Sequence, residues 1–139
     1  MSRWKRMYYL DANIFIFPQI YDLEIESAAK SKEYLTMLAD GDIEGISSTL
    51  TWDEISYIVR KYSGIKESLV AGEKFLTFPN LKVVDVDSTI LSKAQEIVKT
   101  YKLKPRDAIH AASALKYSNG QIITNDSDFD VVKEAKRKF

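Results

Sequence analysis

Met7-Tyr8-Tyr9-Leu10-Asp11-Ala12-Asn13-Ile14-Phe15-Ile16 is the stretch around which the rest of the chain is read. Met7 to Leu10 is a continuous apolar and aromatic run, the pattern of a strand buried on both faces in a parallel sheet. Asp11 stands where that strand runs out. In open parallel sheets ligands bind outside the carboxyl ends of the strands, so this carboxylate is placed for chemistry. An aspartate there also serves as an N-cap for the following helix, and taken alone Asp11 favours the cap. Three more carboxylates at comparable places downstream change that balance.

Outward from this strand, helical and extended patterns alternate. Pro18 interrupts, and Ala28, Leu35 and Leu38 then mark one face of a helix stopped by Gly41. Ile46 belongs to a short second strand. Ser48, Thr49 and Thr51 are three available caps for the next helix. Its stripe of Ile55, Ile58, Val59 and Tyr62 follows i, i+3, i+4, i+7 and closes near Gly64. Residues 65–78 read as another helix, with Ile65, Leu69 and Leu76 on one side and Pro79-Asn80 ending it. Residues 81–86 form a third strand, and Asp87 or Ser88 caps a helix carrying Ile90, Ala94, Ile97, Val98 and Tyr101. Pro105 opens an alanine-rich helix at a position proline favours. Asn119-Gly120 ends that helix, and residues 121–124 form a fourth strand. Residues 125–130 turn into a last short helix around Val132 and Ala135. Strands alternating with helices imply a parallel sheet covered on both faces, an α/β fold.

The 139 residues suffice for one domain, read here as 1–139. With no cysteine and a single histidine, thiolate sites and disulfides are excluded. Any metal here is a hard cation on oxygen ligands, magnesium or manganese. Apolar runs fall short of the roughly 18 residues that span a bilayer. A basic start (Arg3, Lys5, Arg6) is followed by Asp11 and Asn13 rather than by a signal-peptide core, so a cytoplasmic protein is expected. Twenty acidic and twenty basic residues cancel, leaving nucleic-acid binding to local patches.

Each carboxylate has a bland reading beside a functional one. Glu54 borders its helix's apolar stripe, yet Thr51-x-x-Glu54 also matches a capping box. If the helix instead starts at Ser48 or Thr49, Glu54 lies beyond the cap and is free to ligate. Asp107 falls in a first turn, where the helix dipole favours a carboxylate. Its neighbours Ala108, Ala111 and Ala112 indicate close packing, in which a charge needs a partner. Asp126 follows the fourth strand as Asp11 follows the first. Asp128 lies two residues on, in a turn where aspartate is a common choice. Asp130 reads as a solvated helix residue, and His110 as a helix-surface or packing residue without a triad around it. Lys99, Lys102, Lys104 and Arg106 form a basic run just before Asp107. Taken together, Asp11, Glu54, Asp107 and Asp126 converge on the carboxyl edge of the sheet. Their mutual repulsion calls for one or two divalent cations, which activate water and stabilise in-line displacement of a phosphodiester.

Four segments carry a family resemblance: Tyr8-Tyr9-Leu10-Asp11-Ala12-Asn13-Ile14, Ser47-Ser48-Thr49-Leu50-Thr51-Trp52-Asp53-Glu54, Leu103-Lys104-Pro105-Arg106-Asp107-Ala108-Ile109-His110-Ala111-Ala112 and Ile123-Thr124-Asn125-Asp126-Ser127-Asp128-Phe129. In them the sequence resembles the PIN domain, a family of metal-dependent ribonucleases. Each motif is weak alone, and four in register over nearly the whole chain are specific. In size and lack of appended domains the chain resembles the toxins of VapBC-type toxin–antitoxin pairs.

That resemblance implies a three-layer α/β/α sandwich with a central parallel sheet of four or five strands. Many relatives finish with a further short strand, where this chain has residues 131–139. It also implies that Asp11, Glu54, Asp107 and Asp126 hold magnesium or manganese and carry catalysis, supported by Asn13, Thr124 and Asp128. The expected protein is a homodimer, neutralised by an antitoxin whose tail crosses the active site.

The reading is therefore a metal-dependent RNA endonuclease, with Lys104 and Arg106 on the RNA backbone. Tyr57, Tyr62, Phe75 and Phe78 supply the dimer patch. Two other functions share the fold: RNA processing outside toxin–antitoxin systems, and protein binding with the carboxylates serving only as caps. A phosphotransferase with an aspartate nucleophile needs a second aspartate two residues on, where this chain has Asn13.

Overall fold

The computed structural model describes residues 6–139, so Arg3 and Lys5 lie outside it. Five strands form one parallel sheet. They are β1 (Met7–Leu10), β2 (Glu44–Ser48), β3 (Leu81–Val84), β4 (Gln121–Ile123) and β5 (Lys136–Lys138). The helices are α1 (Ala12–Ile20), α2 (Glu26–Ala39), α3 (Thr49–Ser63), α4 (Ile65–Leu76), α5 (Ser88–Tyr101) and α6 (Pro105–Tyr117). A 3-10 turn, Ser127–Val131, precedes β5.

Successive strand residues point to opposite faces, and the two cores follow from that. Tyr9 and Ile122 join Ile90, Ala94 and Ile97 of α5 and Ala108, Ala111 and Ala112 of α6 in one cluster. Leu10 and Ile123 join Ile14, Leu38, Ile55, Val59 and Phe75 from α1 to α4 in the other. Ile122 and Ile123 are both fully buried, one on each side. Each such side chain contributes about 1.5–3 kcal/mol of burial. The result is the expected three-layer α/β/α arrangement.

Strand order runs one way from β1 through β2 to β3, and β4 then adds to the other side of β1. The reversal falls between β1 and β4, the place where doubly wound sheets open a crevice at their carboxyl edge. Asp11 and Asp126 follow the two strands that flank it.

Several local expectations are corrected. The opening strand ends at Leu10 as expected, but residues 12–20 are helical, with Pro18 inside α1 rather than interrupting before the first helix. Pro18 lies near the C-terminal end of α1, where the helix is about to finish. The last short helix expected around Val132 and Ala135 is absent. Instead the chain makes a 3-10 turn and enters β5, which pairs with β4 from Gln121↔Lys136 to Ile123↔Lys138. Asp130 lies in that 3-10 turn and is exposed, as expected of a solvated helix residue, and its Oδ1 accepts from Arg137 Nε at 2.8 Å.

The buried side of α4 is also not the one its large apolar residues suggest. Ser68, Ala71, Gly72 and Phe75 are buried, whereas Ile65, Leu69 and Leu76 are exposed. Gly64, at φ 93°, ends α3 and begins α4 in one residue. That left-handed backbone suits glycine and sends the helices back against each other. A Cβ on Gly72 would meet the Trp52 Nε1 at 3.0 Å, so the contact depends on a small residue. Phe75 is therefore core and not dimer patch, and Phe78 is half-buried.

Candidate metal centre

Asp11 keeps β1 tied to β4 through its backbone N–H, which donates to the Ile123 carbonyl at 3.1 Å. Its buried carboxylate uses both oxygens. Oδ1 accepts from the Ala12 N–H at 2.7 Å, and Oδ2 accepts from the Thr124 hydroxyl at 2.8 Å. Asp11 is thus both cap and cluster member. Burial raises its pKa and Glu54 adds to that, while His110, Thr124 and the Ala12 N–H pull it back.

Thr124 gathers the neighbours of Asp11. Its one hydroxyl hydrogen goes to Asp11, so its oxygen accepts from the Asp126 N–H at 3.1 Å and from Asn13 Nδ2 at 3.5 Å. Asn13 must present its amide nitrogen there, which leaves Oδ1 buried and without a hydrogen-bond partner among the described residues. Asp126 in turn accepts the Asp128 N–H on Oδ1 at 2.9 Å.

The start of α3 decides the reading of Glu54. Ser48 is the N-cap residue and the helix runs from Thr49, so Glu54 lies beyond the first turn and the Thr51 capping box does not form. Thr51 is buried and hydrogen-bonded to Ser47 instead, at 2.8 Å. Glu54 Oε1 lies 2.5 Å from His110 Nε2.

Asp107 sits in the first turn of α6, two residues after Pro105. Burial pushes its carboxyl up to about 6, Asp11 and Asp126 push it the same way, His110 opposes, and Glu54 adds to the rise. Asp11, Asp126 and Glu54 are therefore all within electrostatic reach of Asp107. The tightest group is Asp107, Asp126 and Asp128, whose carboxylate oxygens lie within 4.8 Å of one another. Asp128, expected only as support, stands here beside the main cluster.

His110 is the residue that sequence reasoning misplaced. It is neither a helix-surface residue nor simple packing: it is buried, on the same side of α6 as Asp107 three residues earlier. Its ring reaches Tyr9, Glu54 and Asp11. Burial alone would favour the neutral ring, but Tyr9, Asp11 and Glu54 outweigh it and hold the pKa well above its usual value. The readable signal was a lone histidine at i+3 from Asp107 on an otherwise alanine-lined face. Lys104 and Arg106 flank Pro105 ahead of Asp107, and both are exposed.

These residues fit a hard divalent cation. The donors are all oxygens, the neighbouring carboxylates help to raise the pKa of Asp107 and Asp11, and Asn13 Oδ1 is an orphaned buried acceptor beside them.

The sequence profile of the PIN domain matches residues 8–135. The chain belongs to the PIN domain family. This PIN domain is 24% identical over 127 residues to ribonuclease VapC2 of Methanocaldococcus jannaschii, covering 87% of this chain and 85% of that one. Its fold is similar to that of VapC20 from Mycobacterium tuberculosis, described as a sarcin-ricin loop cleaving toxin. That match has a TM-score of 0.74 at 13% identity, over 93% and 96% of the two chains. It is also similar to VapBC2 from Rickettsia felis bound to a promoter DNA fragment, with a TM-score of 0.71 at 17% identity over 95% and 97%. Among the described residues of this PIN domain, no helix is long and apolar enough to cross a membrane.

Proposed function

We propose that this PIN domain is a divalent-metal-dependent endoribonuclease, the toxin of a toxin–antitoxin pair, with residues 1–139 acting as one domain in the cytoplasm. What supports this reading is that the carboxylate oxygens of Asp107, Asp126 and Asp128 lie within 4.8 Å of one another, while Asp11 and Glu54 both face the His110 ring on the same helix as Asp107. That VapC2 is named a ribonuclease and VapC20 a sarcin-ricin loop cleaving toxin supports the substrate class.

Asp11, Glu54, Asp107 and Asp126 would hold one or two magnesium or manganese ions, with Asp128 beside them. When bound, such ions lower the pKa of water and stabilise the charge that builds up at phosphorus during in-line displacement. The chain's own contribution is preorganisation. Thr124 fixes the orientation of Asp11 and ties it to the Asp126 backbone, so two ligands from different strands move as one. Lys104 and Arg106, ahead of Asp107, take the RNA phosphates and bring the scissile bond to the cluster.

Two protein partners complete the reading. A second copy covers Tyr57, Tyr62, Leu69 and Val70, exposed on α3 and α4. An antitoxin segment crosses the carboxylate crevice and shields it from RNA.

The test is cleavage of a mixed RNA pool by the pure protein with manganese. Asp11→Asn retains the capping ability of the residue but removes a charge from the cluster. It should keep the fold and lose at least about a hundredfold in rate, roughly 2.7 kcal/mol. Cleavage that survives chelator, or an Asp11→Asn variant as fast as the parent, would sink the metal-nuclease reading.

A further inference from the structure

Three buried polar side chains outside the carboxylate cluster run in a line from the sheet to Glu54. Tyr9, on β1, and Ser48, at the end of β2, are both 0% exposed, and His110 on α6 is 1% exposed. The Tyr9 hydroxyl donates to Ser48 Oγ at 2.9 Å, and the Tyr9 oxygen lies 2.6 Å from His110 Nδ1. On the far side of the ring, Nε2 lies 2.5 Å from Glu54 Oε1 and 3.5 Å from Asp11 Oδ1.

The hydrogen inventory sets the direction of this line. A tyrosine has one hydroxyl hydrogen, and here it goes to Ser48, so the Tyr9 oxygen accepts and His110 Nδ1–H donates to it. Nε2 faces carboxylate oxygens, which only accept, so it donates as well. Tyr9 thereby holds one end of the imidazole while the other end delivers a donor to Glu54. Tyr9 and Ser48 come from two strands that pair at the centre of the sheet.

We propose that Tyr9 and His110 are positioning residues for the metal centre: Tyr9 orients the imidazole, which commits Oε1 of Glu54 to the protein and leaves Oε2 for the cation. This rests on the metal-centre reading above and adds to it the means by which one ligand is held. Without the strut, Glu54 swings on its flexible stem and must be ordered anew each time a cation binds. Outer partners of this kind typically change metal affinity by about 10–100-fold.

The experiment compares the full-length parent with Tyr9→Phe, His110→Leu and His110→Gln. Manganese affinity is read by calorimetry without RNA, alongside kcat and KM on RNA and thermal unfolding in chelator. His110→Leu should weaken manganese binding by about 10–100-fold. Tyr9→Phe should weaken it in the same direction but less, and His110→Gln, whose amide again offers an N–H, should restore most of it. kcat should fall while KM for RNA stays unchanged. His110 is the chain's sole histidine, so its ring protons are identified without further assignment. In the metal-free parent both should be protected from exchange, and Tyr9→Phe should expose one.

If His110→Leu does not fold, the other two variants decide. A lowered unfolding midpoint with parental manganese affinity in Tyr9→Phe overturns the proposal, because a purely structural network gives that pattern. A parent that binds no manganese, or cleaves in chelator, overturns the metal reading and this inference with it. Metal-dependent cleavage in the parent with unaltered affinity in every variant overturns this inference alone.

Discussion

The Thr124 hydroxyl, just past β4, donates to Oδ2 of Asp11, just past β1, at 2.8 Å. Both side chains are buried, and the bond spans the one place in the sheet where strand order reverses. It joins the two halves of the crevice with a neutral donor where a charged one would compete with a cation.

Thr124→Val keeps the shape of the residue and removes that donor. A buried carboxylate oxygen left unsatisfied costs about 1–3 kcal/mol, so the unfolding midpoint should fall. Manganese affinity should fall as well, and Thr124→Ser should recover both. A Val variant that binds manganese like the parent would show that Thr124 serves the fold alone.

Asp107 makes metal-free stability depend on pH. Its folded pKa, about 6, lies above the ordinary 3.8, so the folded chain binds more protons between those values. Stability is then greatest below the lower value and declines as pH rises through about 6. Asp107→Asn removes this loss. In chelator, its unfolding midpoint should exceed the parent's by a margin that widens from pH 4 to 6 and is flat above. Added manganese should stabilise the parent more than the variant. A margin independent of pH would mean that neither burial nor the neighbouring carboxylates raise the Asp107 pKa.

Lys104 and Arg106 are exposed ahead of Asp107. If both contact phosphates, replacing both by alanine should weaken RNA binding about equally across sequences. Each lost contact should reduce the salt slope by roughly 0.7 for single strands. A change in cleavage-site choice at unchanged salt slope would mean that they read bases.

Leu69 is 69% exposed on α4, among other exposed apolar residues. Light scattering of the parent at micromolar concentration should give the mass of two chains. Leu69→Glu should give the mass of one chain with an unaltered circular dichroism spectrum, since the side chain packs on nothing in the monomer core. A parent mass of one chain would rule out the dimer.

Much of the fold was legible in the chain itself. The run from Met7 to Leu10 reads as a strand because a parallel strand covered on both sides has no polar face to show. The periodic stripe of α5 reads correctly because Ile90, Ala94 and Ile97 supply the packing area themselves. That Asp11 and Asp126 follow strands was legible because the end of a strand is a place defined along the sequence.

What escaped the sequence depended on neighbours distant along it. β5, with the charged residues Lys136, Arg137 and Lys138, shows no apolar alternation. It is a strand because the open edge of β4 offers backbone hydrogen bonds, and those do not depend on side chains. The inward face of α4 is Phe75 with the small residues Ser68, Ala71 and Gly72, since close approach to α3 rewards the absence of bulk at Gly72 over the presence of it at Leu69. His110 looks like packing in its own helix and joins the site only through Tyr9 of β1 and Glu54 of α3, 101 and 56 residues away. The sequence by itself determined which residues carry charge and where strands end. Only the tertiary structure decided which of those charges share one low-dielectric space, because a hydrogen bond or a repulsion depends on distance in space rather than along the chain.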